Sequence, residues 1–278
     1  GYCACDSSRA VVGEFAKLES RIDPSAEGIR AEGYRLQIDR RKILLTAIDS
    51  AGLFYGKQTL RQLATAQGIP CVEVLDNPRF AYRGMHLDVS RHFFPKEQIF
   101  KILDEMAYYK LNKFHFHLCD NGGWRIQIDK YPLLTKLGSH RMEIEWLKWW
   151  DFGDKHYVPE DTPGAYGGYY TKEDIRQIVS YAAGRHIDVI PEIEFPAHSD
   201  EVFVGYPEFC CTGRPYTTGE FCVGNPATLR FAEDVLTEIM ELFPSKYIHI
   251  GGDEARKVAW KSCPKCQHLA REVGGFEE

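Results

Sequence analysis

Apolar and polar positions change period along the chain, and each change marks an element. Tyr34 to Ile38 and Lys42 to Ile48 read as strands, a helix after Ser50 carries Leu53, Leu60 and Leu63, and Val72 to Leu75 returns to extended spacing. These elements predict a small α+β unit. The turn-forming run Asp76-Asn77-Pro78-Arg79 closes it, dividing the chain into residues 1–78 and 79–278.

Beyond that turn, strands and helices alternate. Met85 to Val89 reads as a strand, and Pro95 opens a helix whose stripe is Ile99, Ile102, Leu103, Met106 and Ala107, with Asn112 placed to stop it. Lys113 to Leu118 is the next strand, followed by a long stretch rich in Trp, Gly and Tyr. Thr171-Lys172-Glu173-Asp174 resembles a capping box for a helix with Ile175, Ile178, Val179 and Ala182 on one face, ended by Gly184. Asp188 to Ile193 is a third strand, and Asn225-Pro226 opens a helix bearing Leu229, Ala232, Val235, Leu236, Ile239 and Met240. Tyr247 to Ile250 is the fourth strand. Such alternation predicts parallel βα units.

Composition narrows the function. At 278 residues and 44% hydrophobic content the chain can bury a large core, while a net charge of −6 offers no basic stripe to nucleic acid or an anionic membrane. A neutral or polar ligand fits that balance. No apolar run reaches the length of a membrane span, and Gly1 to Ala10 lacks a signal-peptide pattern. The nine cysteines are odd in number, which excludes complete internal pairing. Cys263-Pro264-Lys265-Cys266 is the one metal-like pair; zinc there needs two more ligands, for which the Cys210 to Cys222 loop is a source. Free thiols and a local disulfide stay open beside it.

Candidate chemistry gathers where strands end. Tyr247-Ile248-His249-Ile250 runs into Gly251-Gly252-Asp253-Glu254, so two adjacent carboxylates leave a strand in different directions and can address different parts of one ligand. The glycines carry no side chain, which suits close approach of a substrate. Asp88 and Arg91 follow the first strand, Asp120 and Trp124 the second, and Glu194 and His198 the third. In a (β/α)8 barrel those strand ends share one mouth.

Four segments carry a family resemblance: Arg83 to Phe93, His117-Leu118-Cys119-Asp120 with Gly123-Trp124-Arg125, Pro191 to His198, and His249 to Glu254. In order and content they resemble the motifs of family 20 glycoside hydrolases, the β-N-acetylhexosaminidases. The resemblance covers about Gly33 to His268. It implies an α/β fold, the N-terminal half of a (β/α)8 TIM barrel preceded by part of a small α+β domain. On that reading the chain is an N-terminal fragment whose activity alone is negligible.

The resemblance also implies roles. Glu254 is the general acid and base, which calls for burial or nearby negative charge to raise its pKa. Asp253 orients the substrate's 2-acetamido group, whose oxygen attacks the anomeric carbon and forms an oxazolinium ion, so configuration is retained. His198 and Asp120 form a relay toward Glu254, and Arg91, Trp124 and Glu194 bind substrate. The substrate is a glycan or glycoconjugate with terminal β-linked N-acetylglucosamine or N-acetylgalactosamine, with no cofactor and no metal, in a secreted, periplasmic or lysosomal setting. Asn121-Gly122 stands where many members carry Asp and Gln, and Glu194 and Ala197 stand where Asp and Gly are frequent.

Trp146, Trp149 and Trp150 suit either stacking on a sugar or packing of their loop. Two other functions remain as alternatives. One is a metal-dependent barrel hydrolase built on His115 and His117, for which the later strands offer no obvious further ligands. The other is a sugar-binding or scaffolding fragment without turnover, since an open half sheet exposes its edges and cannot enclose a substrate.

Overall fold

A computed structural model describes residues 2–3, 9–10, 17–66 and 68–275. It divides into two compact units, Gly1–Gly84 with Leu103–Asn112 and Ala183–Ile187, and Met85–Ile102 with Lys113–Ala182 and Asp188–Glu278.

The first unit is a sheet backed by a helix. Its longer strands are β1 (Lys17–Ile22), β2 (Tyr34–Ile38), β3 (Lys42–Ala47) and β4 (Val72–Asp76), with helix α1 (Ser50–Leu63) between the last two in sequence, and the short strand Tyr2–Cys3 pairs antiparallel with β4. β2 lies antiparallel between β3 and β4, and β1 runs parallel to β3 at one border. Tyr34, Leu36, Ile38, Ile43, Leu45 and Val74 form the buried face, against which Leu53, Leu60 and Leu63 of α1 pack. Asp49 caps α1 through a side-chain oxygen that accepts from the Gly52 N–H at 2.7 Å. Strand β1 has no counterpart in the sequence reading. Its charged, largely exposed residues leave almost no apolar alternation, as befits a strand at a sheet's edge.

The second unit positions the site. Strands β5 (Gly84–Asp88), β6 (Lys113–His117) and β7 (Asp188–Glu192) form one sheet with β6 in the middle, and β6 and β7 are parallel with Glu192 opposite His117. Helix α2 (Lys96–Tyr108) joins β5 to β6, and α3 (Lys172–Ala183) precedes β7. In α3 the cap is reciprocal: Asp174 accepts from the Thr171 N–H at 3.0 Å, and the Thr171 hydroxyl accepts from the Asp174 N–H at 3.1 Å. Helix α2 stops short of Asn112, because Lys110 takes a left-handed φ of 60°.

Two expectations change. Tyr247 to Ile250 forms no regular strand; it lies extended beside β7, bonded through His249 N–H to Pro191 O (2.9 Å) and Ile193 N–H to His249 O (3.0 Å). Helix α4 (Pro226–Leu242) buries Thr228, Phe231, Val235, Ile239 and Leu242, whereas Leu229 and Met240 of the expected stripe are exposed. Phe231 faces Tyr131, Phe209 and Phe221, and those rings decide the orientation.

Between β6 and α3 runs the aromatic stretch. It folds as a hairpin, Cys119–Asp120 with Gly123–Trp124, and a three-stranded sheet in which His140–Arg141 lies between Tyr157–Val158 and Tyr166–Gly167. Buried Arg125 and Arg141 hold these loops. Arg125 donates to the carbonyls of Val89, Ser90, Gly122, Ser139 and Gly168, and Arg141 to those of Gly122, Arg91, Glu143 and Ile144.

Candidate active site

A cleft of about 530 Å³ opens at the ends of these strands, lined by Arg91, Asn121, Trp146, Trp150, His198, Glu220, Glu254 and Arg256 among others. Its polar groups form a connected chain. Arg91 reaches Asp88 with one guanidinium nitrogen (2.8 Å) and buried Asp120 with another (2.7 Å). The other Asp120 oxygen lies 3.3 Å from His198 Nδ1, and His198 Nε2 faces Glu254 at 3.1 Å and Asp253 at 3.4 Å. The Nε2 contacts are ionic and lack hydrogen-bond alignment.

The sequence explains this assembly. Asp88 ends β5 and its carboxylate caps the following turn, accepting from the Ser90 and Arg91 N–H groups at 2.8 and 3.1 Å. The Ser90 hydroxyl donates to the Asp120 carbonyl at 2.9 Å, joining that turn to the hairpin. Gly122 sits where a Cβ would come within 2.6 Å of the Arg91 Cα and the Ser90 carbonyl oxygen, which accounts for glycine at this departure from the family pattern. Asn121 stays in the network, its side-chain amide 3.3 Å from His198 Nδ1 and accepting from the Asp200 N–H at 3.2 Å.

Charge follows from these contacts. The Asp120 hydrogen bond, against burial and with help from Asp253 and Glu194, pushes His198 up to about 9, so the imidazole is cationic at neutral pH. Burial works against the charge of Arg91, but Asp120 and Asp88 more than restore it. Burial, with Asp253 and Asp120 nearby, raises Glu194 despite its contact with His117. Glu254 itself is 76% exposed at its side chain, and Asp253 62%, so neither is enclosed by described residues. Burial of the acid, one of the two devices expected for it, is not supplied by the described residues, and the carboxylate of Asp253 stands beside the cationic His198.

Other expected site residues are placed differently. Trp124 is 1% exposed, donates its indole N–H to the Ile126 carbonyl at 2.6 Å and packs toward Phe231, so it anchors its loop and offers no face to a sugar. Glu194 is also buried; one oxygen accepts from the Gly252 N–H at 3.3 Å and the other lies 3.4 Å from His117. It supports the strand end from beneath. Gly251 explains the fit, for a Cβ there would fall 1.8 Å from a Glu194 oxygen. The glycine makes room for Glu194, where the sequence suggested room for substrate.

The three tryptophans divide. Trp149 is buried and bonds the His156 carbonyl, while Trp146 and Trp150 stack at 5.1 Å and line the cleft, with Arg91 over Trp146 and Lys155 over Trp150. His115 and His117, read as lacking further partners, in fact meet Glu192: His115 lies 2.6 Å and His249 2.8 Å from its oxygens, with His117 and His86 within 3.8 Å. Burial opposes ionisation of Glu192, yet these imidazoles hold its carboxyl well below the usual range. Nothing in the residue pattern flagged Glu192, because its partners come from three other chain segments.

The glycosyl hydrolase family 20 catalytic domain matches residues 80–277, and domain 2 of the same family matches residues 8–77. The chain belongs to glycosyl hydrolase family 20. A family relative, the beta-hexosaminidase of Porphyromonas gingivalis, is 40% identical over 302 residues, covering 98% of this chain and 37% of that protein. The beta-hexosaminidase of Akkermansia muciniphila is 37% identical over 269 residues, covering 91% and 52%. The chain therefore spans about half or less of the length of these family 20 relatives. A crystal structure of a β-N-acetylhexosaminidase superposes with a TM-score of 0.81 at 34% identity, covering 96% of this chain and 57% of that one. The family 20 exo-β-N-acetylglucosaminidase of Vibrio harveyi, solved with N-acetylglucosamine, gives 0.80 at 32% identity, covering 94% and 41%. These family 20 neighbours identify an α/β fold of the TIM-barrel type.

Proposed function

We propose that this chain supplies the catalytic carboxylates of a β-N-acetylhexosaminidase that removes terminal non-reducing β-linked N-acetylglucosamine or N-acetylgalactosamine from a glycan. The observation that carries the reading is the linked array Arg91, Asp120, His198, Asp253 and Glu254 at the strand ends, of which Arg91, His198 and Glu254 line one cleft. Relatives bearing the name beta-hexosaminidase across most of this chain support it. The domains follow the same reading: residues 1–78 are part of an α+β domain, and residues 79–278 are the first half of a TIM barrel whose remaining strands complete the pocket in the whole protein.

In this account Glu254 donates a proton to the glycosidic oxygen while the substrate's acetamido oxygen attacks the anomeric carbon. The C–O bond breaks, the alcohol leaves and an oxazolinium ion remains. Asp253 orients the amide and stabilises the positive charge on its nitrogen. Glu254 then takes a proton from water, which attacks the anomeric carbon and reopens the ring with retained configuration. The imidazolium of His198, held by Asp120, positions both carboxylates. Arg91, fixed by Asp88 and Asp120, presents its guanidinium to sugar hydroxyls, and Trp146 and Trp150 flank the leaving-group side.

Replacing Glu254→Gln in the whole protein tests the acid. Turnover of substrates with poor leaving groups falls by about 10² to 10⁴, the usual contribution of a positioned acid. Activated aryl glycosides suffer less, because their leaving groups need little protonation. Equal loss on both, or none, removes Glu254 from this role.

A further inference from the structure

Outside the catalytic network, four thiols from two distant stretches converge. Cys211, Cys222, Cys263 and Cys266 bring their sulfurs within 4.8 Å of one another. Cys211 and Cys266 are 55 positions apart in sequence, yet their sulfurs are separated by 3.6 Å. The Cys222 sulfur lies 3.7 Å from those of both Cys263 and Cys266.

These distances discriminate between chemistries. A disulfide holds its sulfurs at ~2.05 Å. Zinc–thiolate bonds of ~2.3 Å in a tetrahedron place the sulfurs ~3.8 Å apart, close to what is observed. Cysteines arranged around a multi-iron cluster surround a wider core. Cys222, Cys263 and Cys266 are buried and pack with Trp260, whose indole N–H bonds the Phe221 carbonyl at 2.8 Å. Cys263 stands at the N-cap of helix α5 (Pro264–Val273) and Cys266 in its first turn, so one short stretch of backbone fixes two of the four sulfurs.

We propose that Cys211, Cys222, Cys263 and Cys266 bind one structural zinc ion as a closed four-thiolate tetrahedron. With every position filled by protein, the ion has no open site for substrate and acts as a clamp. It fastens the two segments that border the cleft. Thr218 and Glu220 lie between Cys211 and Cys222, while Glu254 and Arg256 lie just before Cys263. Glu220 already accepts from the Lys257 N–H at 2.9 Å, so the two segments meet beside the proposed acid. Loading the metal releases the thiol protons to solvent.

The test is metal analysis of the whole protein, purified under reducing conditions without a polyhistidine tag or chelating resin. One zinc per chain is expected. Cobalt exchanged for zinc should give the intense thiolate-to-metal charge transfer and red d–d bands of a tetrahedral sulfur site. Cys222→Ser and Cys263→Ser should lose the metal, whereas Cys71→Ser and Cys210→Ser should keep it. If the first two variants fail to fold, the cobalt spectrum and a mass-spectrometric thiol count on the unaltered protein still decide. Iron in place of zinc, disulfides among the four cysteines, or four thiols that alkylate freely in metal-free native protein would each overturn the proposal.

Discussion

Gly251→Ala isolates the contact that sets the geometry of the strand end. Gly251 has a φ of 60°, and an added Cβ would lie 1.8 Å from one Glu194 oxygen and 2.2 Å from its carboxyl carbon. Two costs add. A left-handed alanine costs ~1–2 kcal/mol, and forcing a methyl into a packed site costs ~1–3 kcal/mol. The expected loss is therefore ~2–5 kcal/mol, a fall of roughly 5–15 °C in Tm for a unit of this size. Thermal and urea unfolding of the parent, Gly251→Ala, Glu194→Ala and the double variant measure it. Removing the Glu194 carboxylate relieves the overlap, so the double variant should be less damaged than the sum of the singles by ~1–3 kcal/mol. The alternative, that the glycine serves close approach of substrate, predicts a raised KM with little change in Tm. Strict additivity, or a loss below ~0.5 kcal/mol, would refute the packing argument.

Two further outcomes follow from the charges. His198 is raised from 6.5 to about 9 chiefly by Asp120, so its stabilising contribution is complete below 6.5 and disappears as pH rises through 9. The Tm of the parent should fall across that interval, with a flatter profile for His198→Gln; identical slopes would mean that this imidazole does not carry the alkaline loss. Asp253→Asn should weaken binding of a thiazoline mimic of the cyclised intermediate by at least tenfold, or ~1.4 kcal/mol. Unchanged affinity in a titration would separate Asp253 from the acetamido group.

The sequence exposed those parts of the molecule whose physics is local. The first three strands of the second unit and the helices among them, the Thr171–Asp174 cap and the Asn225-Pro226 helix start all depend on neighbours a few positions away, and each forms. Arg91, Asp120, His198, Asp253 and Glu254 come together because polar groups immediately after strands share one end of the sheet, which is the pattern the sequence shows. Long-range packing stayed hidden. Trp124 and Glu194 sit at equivalent strand ends but turn inward, one under Phe231 and one beneath Gly251, and only the tertiary structure distinguishes inward from outward. Glu192 gathers His115, His117 and His249 across strands, which no spacing within one segment announces. The Cys210 to Cys222 loop was legible as a source of ligands to join Cys263 and Cys266, but that Cys211 and Cys222 are the ones that converge required the fold.

The central claim is that the substrate's own amide is the nucleophile. Its most direct test compares turnover of an aryl 2-acetamido-2-deoxy-β-glucoside with that of the aryl β-glucoside bearing a 2-hydroxyl, using the whole protein. Both have the same leaving group and the same bond to break. Without the amide oxygen, no described carboxylate is assigned to attack the anomeric carbon. The account predicts a kcat/KM at least ~10³-fold lower for the 2-hydroxy sugar, corresponding to ~4 kcal/mol of lost transition-state stabilisation. Comparable turnover of the two, with a glycosyl ester trapped on Asp253 or Glu254, would contradict it.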